Sequence, residues 1–151
     1  MGFVDFVKDS GDKLFKRGKY SEEATNEVKA VALFDHVTAL ELQVENFKVD
    51  YDDGIAKVTG TAPSQKEREK VVLAVGNTEG VARVDDRMTV KVPEPEAVMY
   101  TVQRGDSLSK IAKAHYGDAM KYPHIFEANK PMLTNPDKIY PGQVLRLPPL
   151  G

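Results

Sequence analysis

The sequence predicts an α+β fold made of two small units in tandem. Three observations carry this. Apolar residues recur at helical spacing up to about position 37, switch to a period of two from Phe47, and return to helical spacing after Ser64. The stretch Val92-Pro93-Glu94-Pro95-Glu96 alternates proline with glutamate, which favours extended, solvated chain and marks a linker. After it the order of signals is strand, helix, helix, strand.

The first segment opens the chain. Phe3, Phe6 and Val7 fit one face of a short helix there, interrupted by Gly11. Residues 1–19 are therefore expected to be an amphipathic segment docked on the first unit. Ser21 is a candidate N-cap, with Glu22 and Glu23 favourable in a first turn, and Ala24, Val28, Val31 and Ala32 then recur at helical spacing. Residues 40–47 read equally as loop or strand. Phe47, Val49 and Tyr51 alternate with polar residues, Asp53-Gly54 comes next, and Ile55, Ala56 and Val58 begin a second run. An Asp-Gly pair between two such runs is a hairpin signal. Ser64 with Glu67 forms a capping box for a helix over Val71, Val72 and Val75, ending at Gly76-Asn77. Val81 to Val92 reads as one strand. In the second unit Tyr100-Thr101-Val102 is a strand, and Ser107 caps a helix over Leu108, Ile111, Ala112 and His115. Tyr122 to Asn129 is a second helix. Pro141-Gly142-Gln143 turns into a closing strand from Val144 to Pro148. The expected division is 20–92, a linker at 93–98, and 99–151.

The bulk numbers narrow the classes. The chain has 151 residues and a formal net charge of −2, with its charges interspersed. Nothing is basic enough for a nucleic-acid footprint. There is no cysteine, so disulfide frameworks and thiolate metal sites are excluded. The start carries Asp5 and Asp9 and has no basic region before a long apolar run, so it does not read as a secretory signal. Position 6 is Phe6 rather than Ser or Thr, which argues against a myristoylation motif at Gly2. No stretch approaches the roughly 20 apolar residues that span a bilayer. The expectation is a soluble, cytoplasmic monomer.

Two resemblances add to this. The words YTVQRGDSLSKIAKAHYGD (100–118), IFEANK (125–130) and IYPGQVLRLP (139–148) resemble a LysM domain. That resemblance implies a shallow groove for N-acetylglucosamine-containing glycans such as peptidoglycan. Its walls would be Gly105, Asp106, Ser107 and Leu108 on one side and the stretch from Asn129 to Ile139 on the other. Residues 20–92 resemble a BON domain, through DGIAKVTGTAPSQKEREK and VGNTEGVARVDDRM. A BON-like unit before a LysM-like unit, preceded by MGFVDFVKDSG, resembles the small cytoplasmic potassium-binding proteins of bacteria. The whole arrangement implies a soluble K⁺ binder or sensor.

Potassium prefers neutral carbonyl oxygens, whereas a carboxylate cluster favours Ca²⁺ or Mg²⁺. Such a site is written in backbone that turns tightly. The stretch VGNTEGV (75–81) holds two glycines and an asparagine just after a helix. A helix end offers unpaired carbonyls and partial negative charge. Gly76, Asn77 and Gly80 can take positive φ there. The backbone oxygens of Gly76, Thr78 and Val81 are the candidate ligands. The resemblance adds Val7 and Ser10, the latter as a carbonyl whose side chain need not take part. Asp9, Asp85 and Asp86 would contribute negative potential without coordinating. The plain alternative is that Gly76-Asn77 is a C-cap and Thr78-Glu79-Gly80 a loop.

Other candidates carry less. His36, His115 and His124 share no metal-ligand spacing. Asp52-Asp53 and Asp85-Asp86 read as solvated pairs at turns or strand edges, and the charges from Lys66 to Lys70 as an exposed helix face. No nucleophile triad or phosphate loop is present, so no enzyme is expected. A lipid- or protein-binding module would instead use Phe3, Phe6 and Phe15 as anchors.

Overall fold

The computed structural model describes residues 2–8 and 25–150. The candidate cap Ser21, the candidate ligand Ser10, Asp9 and Phe15 lie outside them. The first unit comprises β1 (Gly2–Asp5), α1 (Asn26–Ala39), β2 (Glu45–Asp52), β3 (Ile55–Ser64), α2 (Gln65–Gly76), β4 (Arg83–Asp86) and β5 (Thr89–Val92). The second comprises β6 (Val98–Thr101), α3 (Leu108–Tyr116), a single 3₁₀ turn (Ala119–Lys121), α4 (Tyr122–Ala128) and β7 (Val144–Leu147). The molecule is thus α+β.

The sheet order is β1-β4-β3-β2, with β5 also beside β3. β2 and β3 form the expected hairpin, with Asp53 and Gly54 both at positive φ (47° and 92°). β3, α2 and β4 form a crossover unit, because β4 runs parallel to β3 and parallel strands cannot be joined by a tight turn. α1 and α2 pack on the sheet and on each other. Leu33, Val37, Val71, Val72 and Val75 join Ala56, Val58 and Val84 in one core. Burying a side chain such as Leu33 contributes about 1.5–3 kcal/mol relative to leaving it exposed.

Several expectations change. The first residues form a strand, not a helix: β1 pairs antiparallel with β4, Val4 opposite Val84. A four-residue segment is too short for periodicity to decide its conformation, and the free edge of β4 decided it. α1 begins at Asn26, because Thr25 is extended and its side chain accepts from Val28 N–H. The run from Val81 to Val92 breaks into two strands at Arg87-Met88. There Asp86 Oδ1 takes the Met88 N–H (3.0 Å) from the ladder, and Met88 turns into the core. Ser64 caps α2 as expected, but the Glu67 carboxylate accepts from Gln43 N–H (2.8 Å) rather than turning back to Ser64.

The charges on α2 and β4 are not a solvated face. Arg68 and Glu69 are buried, as are Asp85 and Asp86. The reason is that α2 is covered from two directions. Arg68 Nε donates to Asp86 Oδ2 (2.9 Å) in its own sheet. On the other side, Arg146 Nε of β7 donates to Glu69 Oε1 (2.9 Å). Asp85 is paired with Arg87 (3.1 Å).

In the second unit β6 and β7 pair antiparallel. Ser107 caps α3 by accepting from Lys110 N–H (3.2 Å). Val102, Leu108, Ile111, Ile125, Leu145 and Leu147 belong to a separate core. The linker is exposed but anchored along α2. Lys66 N–H donates to Glu94 Oε1 and Ala97 N–H to Glu69 Oε2 (both 3.0 Å).

Candidate functional site

The chain from Gly76 to Val81 is a built turn. Asn77 N–H still donates to Leu73 O (2.9 Å), closing the helix, and the Thr78 hydroxyl donates to Ala74 O (3.2 Å). Val81 N–H donates to Thr78 O (3.1 Å), which folds the chain back. Gly80 sits at φ 102°, the conformation that lets this tight loop close. Gly80 alone fits the expected use of positive φ, since Asn77 has φ −80° and Gly76 ends the helix.

Gly76 is required for another reason. A Cβ built there would lie 2.0 Å from Cζ of Phe6, whose ring covers this helix end. Residues 6–8 therefore run alongside the turn. Phe6 N–H donates to Ala82 O (2.9 Å), and Gly80 N–H donates to Lys8 O (2.7 Å). Val7 lies between these two contacts, exposed, beside the turn.

The carbonyls divide into two sets. Those of Lys8, Ala82 and Thr78 each accept a backbone N–H, and that of Gly80 accepts the Tyr51 hydroxyl (2.7 Å). Among the described residues, no donor is directed at the carbonyls of Val7, Gly76 or Val81. Burial pushes the Tyr51 phenol up, so at neutral pH it remains a donor to Gly80. Of the five sequence-derived ligand candidates, Gly76, Thr78 and Val81 lie in this turn and Val7 in the strand-end segment bonded to it. Thr78 is buried there, with a carbonyl shared by the turn bond. Ser10 lies outside the described residues. Tyr51 and Phe6 are the contributors that sequence reading missed. Alternation marks Tyr51 as core, but nothing local indicates that its hydroxyl reaches a residue 29 positions away.

The neighbouring acidic groups Asp85 and Asp86 are both engaged in ion pairs. Asp86 is held by Arg68 and Met88 N–H, and Asp85 by Arg87. Among the described residues no group of three or more His, Asp or Glu side chains is placed to hold a metal ion. His115 and His124 instead flank Tyr116 as edge-on aromatic neighbours (4.7 and 5.6 Å).

The turn also meets the second unit. Asn77 Nδ2 donates to Val144 O (2.8 Å), and Val144 N–H donates to Asn77 Oδ1 (2.9 Å). Two residues along β7, the Asn129 side chain does the same for Arg146, at 3.0 and 2.9 Å. One edge of β7 pairs with β6, and its other edge is closed by two asparagine amides in place of a strand.

Both stretches named for the glycan groove contribute residues to one cleft. Ser107 and Leu108 line a shallow cleft of about 230 Å³ with Tyr122, Pro136 and Asp137. Gly105 is exposed in the preceding loop. The Asp106 carboxylate accepts from the Tyr100 hydroxyl (2.5 Å) and Gln103 N–H (2.8 Å). Asn129 is buried against β7, and Ile139 packs on the core of this unit. No helix among the described residues is long and apolar enough to cross a membrane.

Comparison with known proteins agrees with this two-unit architecture. The BON domain family matches residues 22–92 and the LysM domain family residues 100–148. A stretch of 50 residues, 33% of this chain and 19% of the relative, is 56% identical to an uncharacterized protein of Deinococcus radiodurans. Over 148 residues the chain is 45% identical to the potassium binding protein Kbp of Escherichia coli O6:H1 (strain CFT073), covering 98% of this chain and 99% of that one. With both domain matches in order and this identity from end to end, the chain belongs to the BON–LysM family of the potassium binding protein Kbp.

Proposed function

We propose that this protein binds K⁺ selectively at the end of α2. The ion is held by backbone carbonyls of Val7, Ser10, Gly76, Thr78 and Val81. The observation that carries the reading is the Gly80 N–H bond to Lys8 O (2.7 Å). It seats the N-terminal segment beside a helix end whose nearby carbonyls at Val7, Gly76 and Val81 receive no donor among the described residues. A helix C-terminus carries partial negative charge and suits a cation. Neutral carbonyls suit a large, weakly hydrated one. The full-length relationship to a protein named for potassium binding supports the same reading. Bound K⁺ would tie the N-terminal segment to the turn and favour the compact arrangement of both domains, by mass action on the state that binds it. Ion sensing by a cytoplasmic monomer belongs to this reading and rests on the sequence resemblance.

The test is thermal unfolding in potassium-free buffer, repeated with KCl and with NaCl at matched ionic strength. The expected result is a higher Tm in KCl than in NaCl, lost when residues 1–10 are deleted. An equal response to both salts overturns the reading.

A second reading is glycan binding by the LysM domain, favoured by the cleft beside Ser107 and Leu108. Retention of the whole chain on peptidoglycan, reduced by Tyr122→Ala at the exposed rim of the cleft, would support it. Passage through unretained would remove it.

A further inference from the structure

We propose that Asn77 is the positioning residue that couples the ion turn to the LysM domain, by acting as a one-residue strand on the open edge of β7. This rests on the K⁺ reading above and assigns it a route of regulation. Asn77 lies between two candidate ligands, Gly76 and Thr78, so its backbone position is set by the same turn. Its side chain leaves that turn and makes both bonds that a neighbouring strand would make to Val144 (2.8 and 2.9 Å). The two residues are 67 positions apart and belong to different domains. A C-cap needs no such side chain, because the Asn77 backbone N–H already closes the helix on Leu73 O.

The geometry is selective. Both an acceptor and a donor are required, in a fork that matches a backbone N–H and C=O side by side. Aspartate would face the Val144 carbonyl with a second acceptor, and alanine would leave both backbone groups of Val144 open. Asn129 makes the equivalent fork to Arg146, but from within the LysM domain. Of the two amides closing this edge, Asn77 alone comes from the ion-binding half. An ion that orders residues 76–81 orders the Asn77 fork. Reciprocally, a docked β7 holds the turn in the conformation that binds the ion. Linkage requires the two effects to be equal.

The experiment uses the full chain and K⁺ itself. Potassium affinity is measured by calorimetric titration for the parent, Asn77→Ala and Val144→Pro. Hydrogen exchange of the Val144 amide is monitored with and without K⁺ in the parent and in Asn77→Ala. Val144→Pro removes the N–H that Asn77 accepts from, on an edge not used by β6, along with the buried valine side chain, and leaves the turn sequence untouched. Both variants are expected to stay folded by circular dichroism and to bind K⁺ roughly fivefold or more weakly. K⁺-dependent protection of Val144 is expected in the parent and lost in Asn77→Ala. Parent-like K⁺ affinity in either folded variant overturns the coupling, as does Val144 exchange in the parent that ignores K⁺. Weakening by Asn77→Ala alone would reduce Asn77 to a local cap and also overturn it. Failure of the K⁺ reading itself is seen separately, as a parent chain that gives no titration with K⁺.

Discussion

Phe6 places its ring where any side chain at position 76 would have to be, with Cζ 2.0 Å from a built Cβ. Gly76→Ala must therefore displace the ring, and with it the segment that carries Val7. Overpacking of this kind costs about 1–3 kcal/mol. In urea unfolding, Gly76→Ala is expected to lower the midpoint and the double variant with Phe6→Ala to recover part of the loss. Strictly additive effects would show that the two residues do not meet. Tyr100 offers a second test at this scale. Its hydrogen bond to the Asp106 carboxylate, together with burial, pushes the phenol up to about 12 from 10.0. A raised folded pKa means that the stability from this contact is complete below pH 10 and is lost as pH rises toward 12. Alkaline unfolding should show this loss in the parent and a flatter profile in Tyr100→Phe. Identical profiles would refute the contact's role.

α2 is the element on which the molecule turns. Its N-terminus is capped by Ser64, its middle grips the sheet through Arg68 and the LysM domain through Glu69, and its end forms the candidate ion turn. The Arg68–Asp86 pair is buried on both sides, and Arg68 Nη2 has no further partner among the described residues. Removing one member of a buried pair leaves the other charged and unpaired, at a cost of about 3–5 kcal/mol. Asp86→Ala should show a loss of that order in denaturant unfolding. A change below about 1 kcal/mol, the usual size for an exposed pair, would mean that water reaches Arg68.

At the scale of the whole molecule, the two domains have separate cores but share a buried polar seam. Glu69 accepts from Arg146, from Gln65 Nε2 (2.9 Å) and from Ala97 N–H, so one carboxylate joins helix, strand and linker. Glu69→Ala strands Arg146 and is expected to cost about 3–5 kcal/mol. Calorimetry should then resolve two unfolding transitions where the parent has one, because the domains keep their own cores and lose their joint. A single transition of parental width would show that Asn77 and the apolar contacts suffice to hold them together.

The sequence by itself determined what depends on near neighbours. The Asp53-Gly54 hairpin, the caps at Ser64 and Ser107, the prolines of the linker and the strand–helix–helix–strand order of the second unit are local signals, each complete within a few residues. The turn at 76–81 was legible for the same reason, as glycines and asparagine after a helix. What those residues are for was not. Gly76 makes room for a ring 70 positions earlier, Asn77 serves a strand 67 positions later, and Gly80 alone needs its φ. Residues 2–5 became a strand, and Arg68, Glu69, Asp85 and Asp86 became buried, only because β4 had an open edge and α2 had a second domain against it. Pairing across a sheet and ion pairing across a domain boundary join groups far apart in the chain. Local propensity carries no trace of such partners, so the tertiary structure alone decided them.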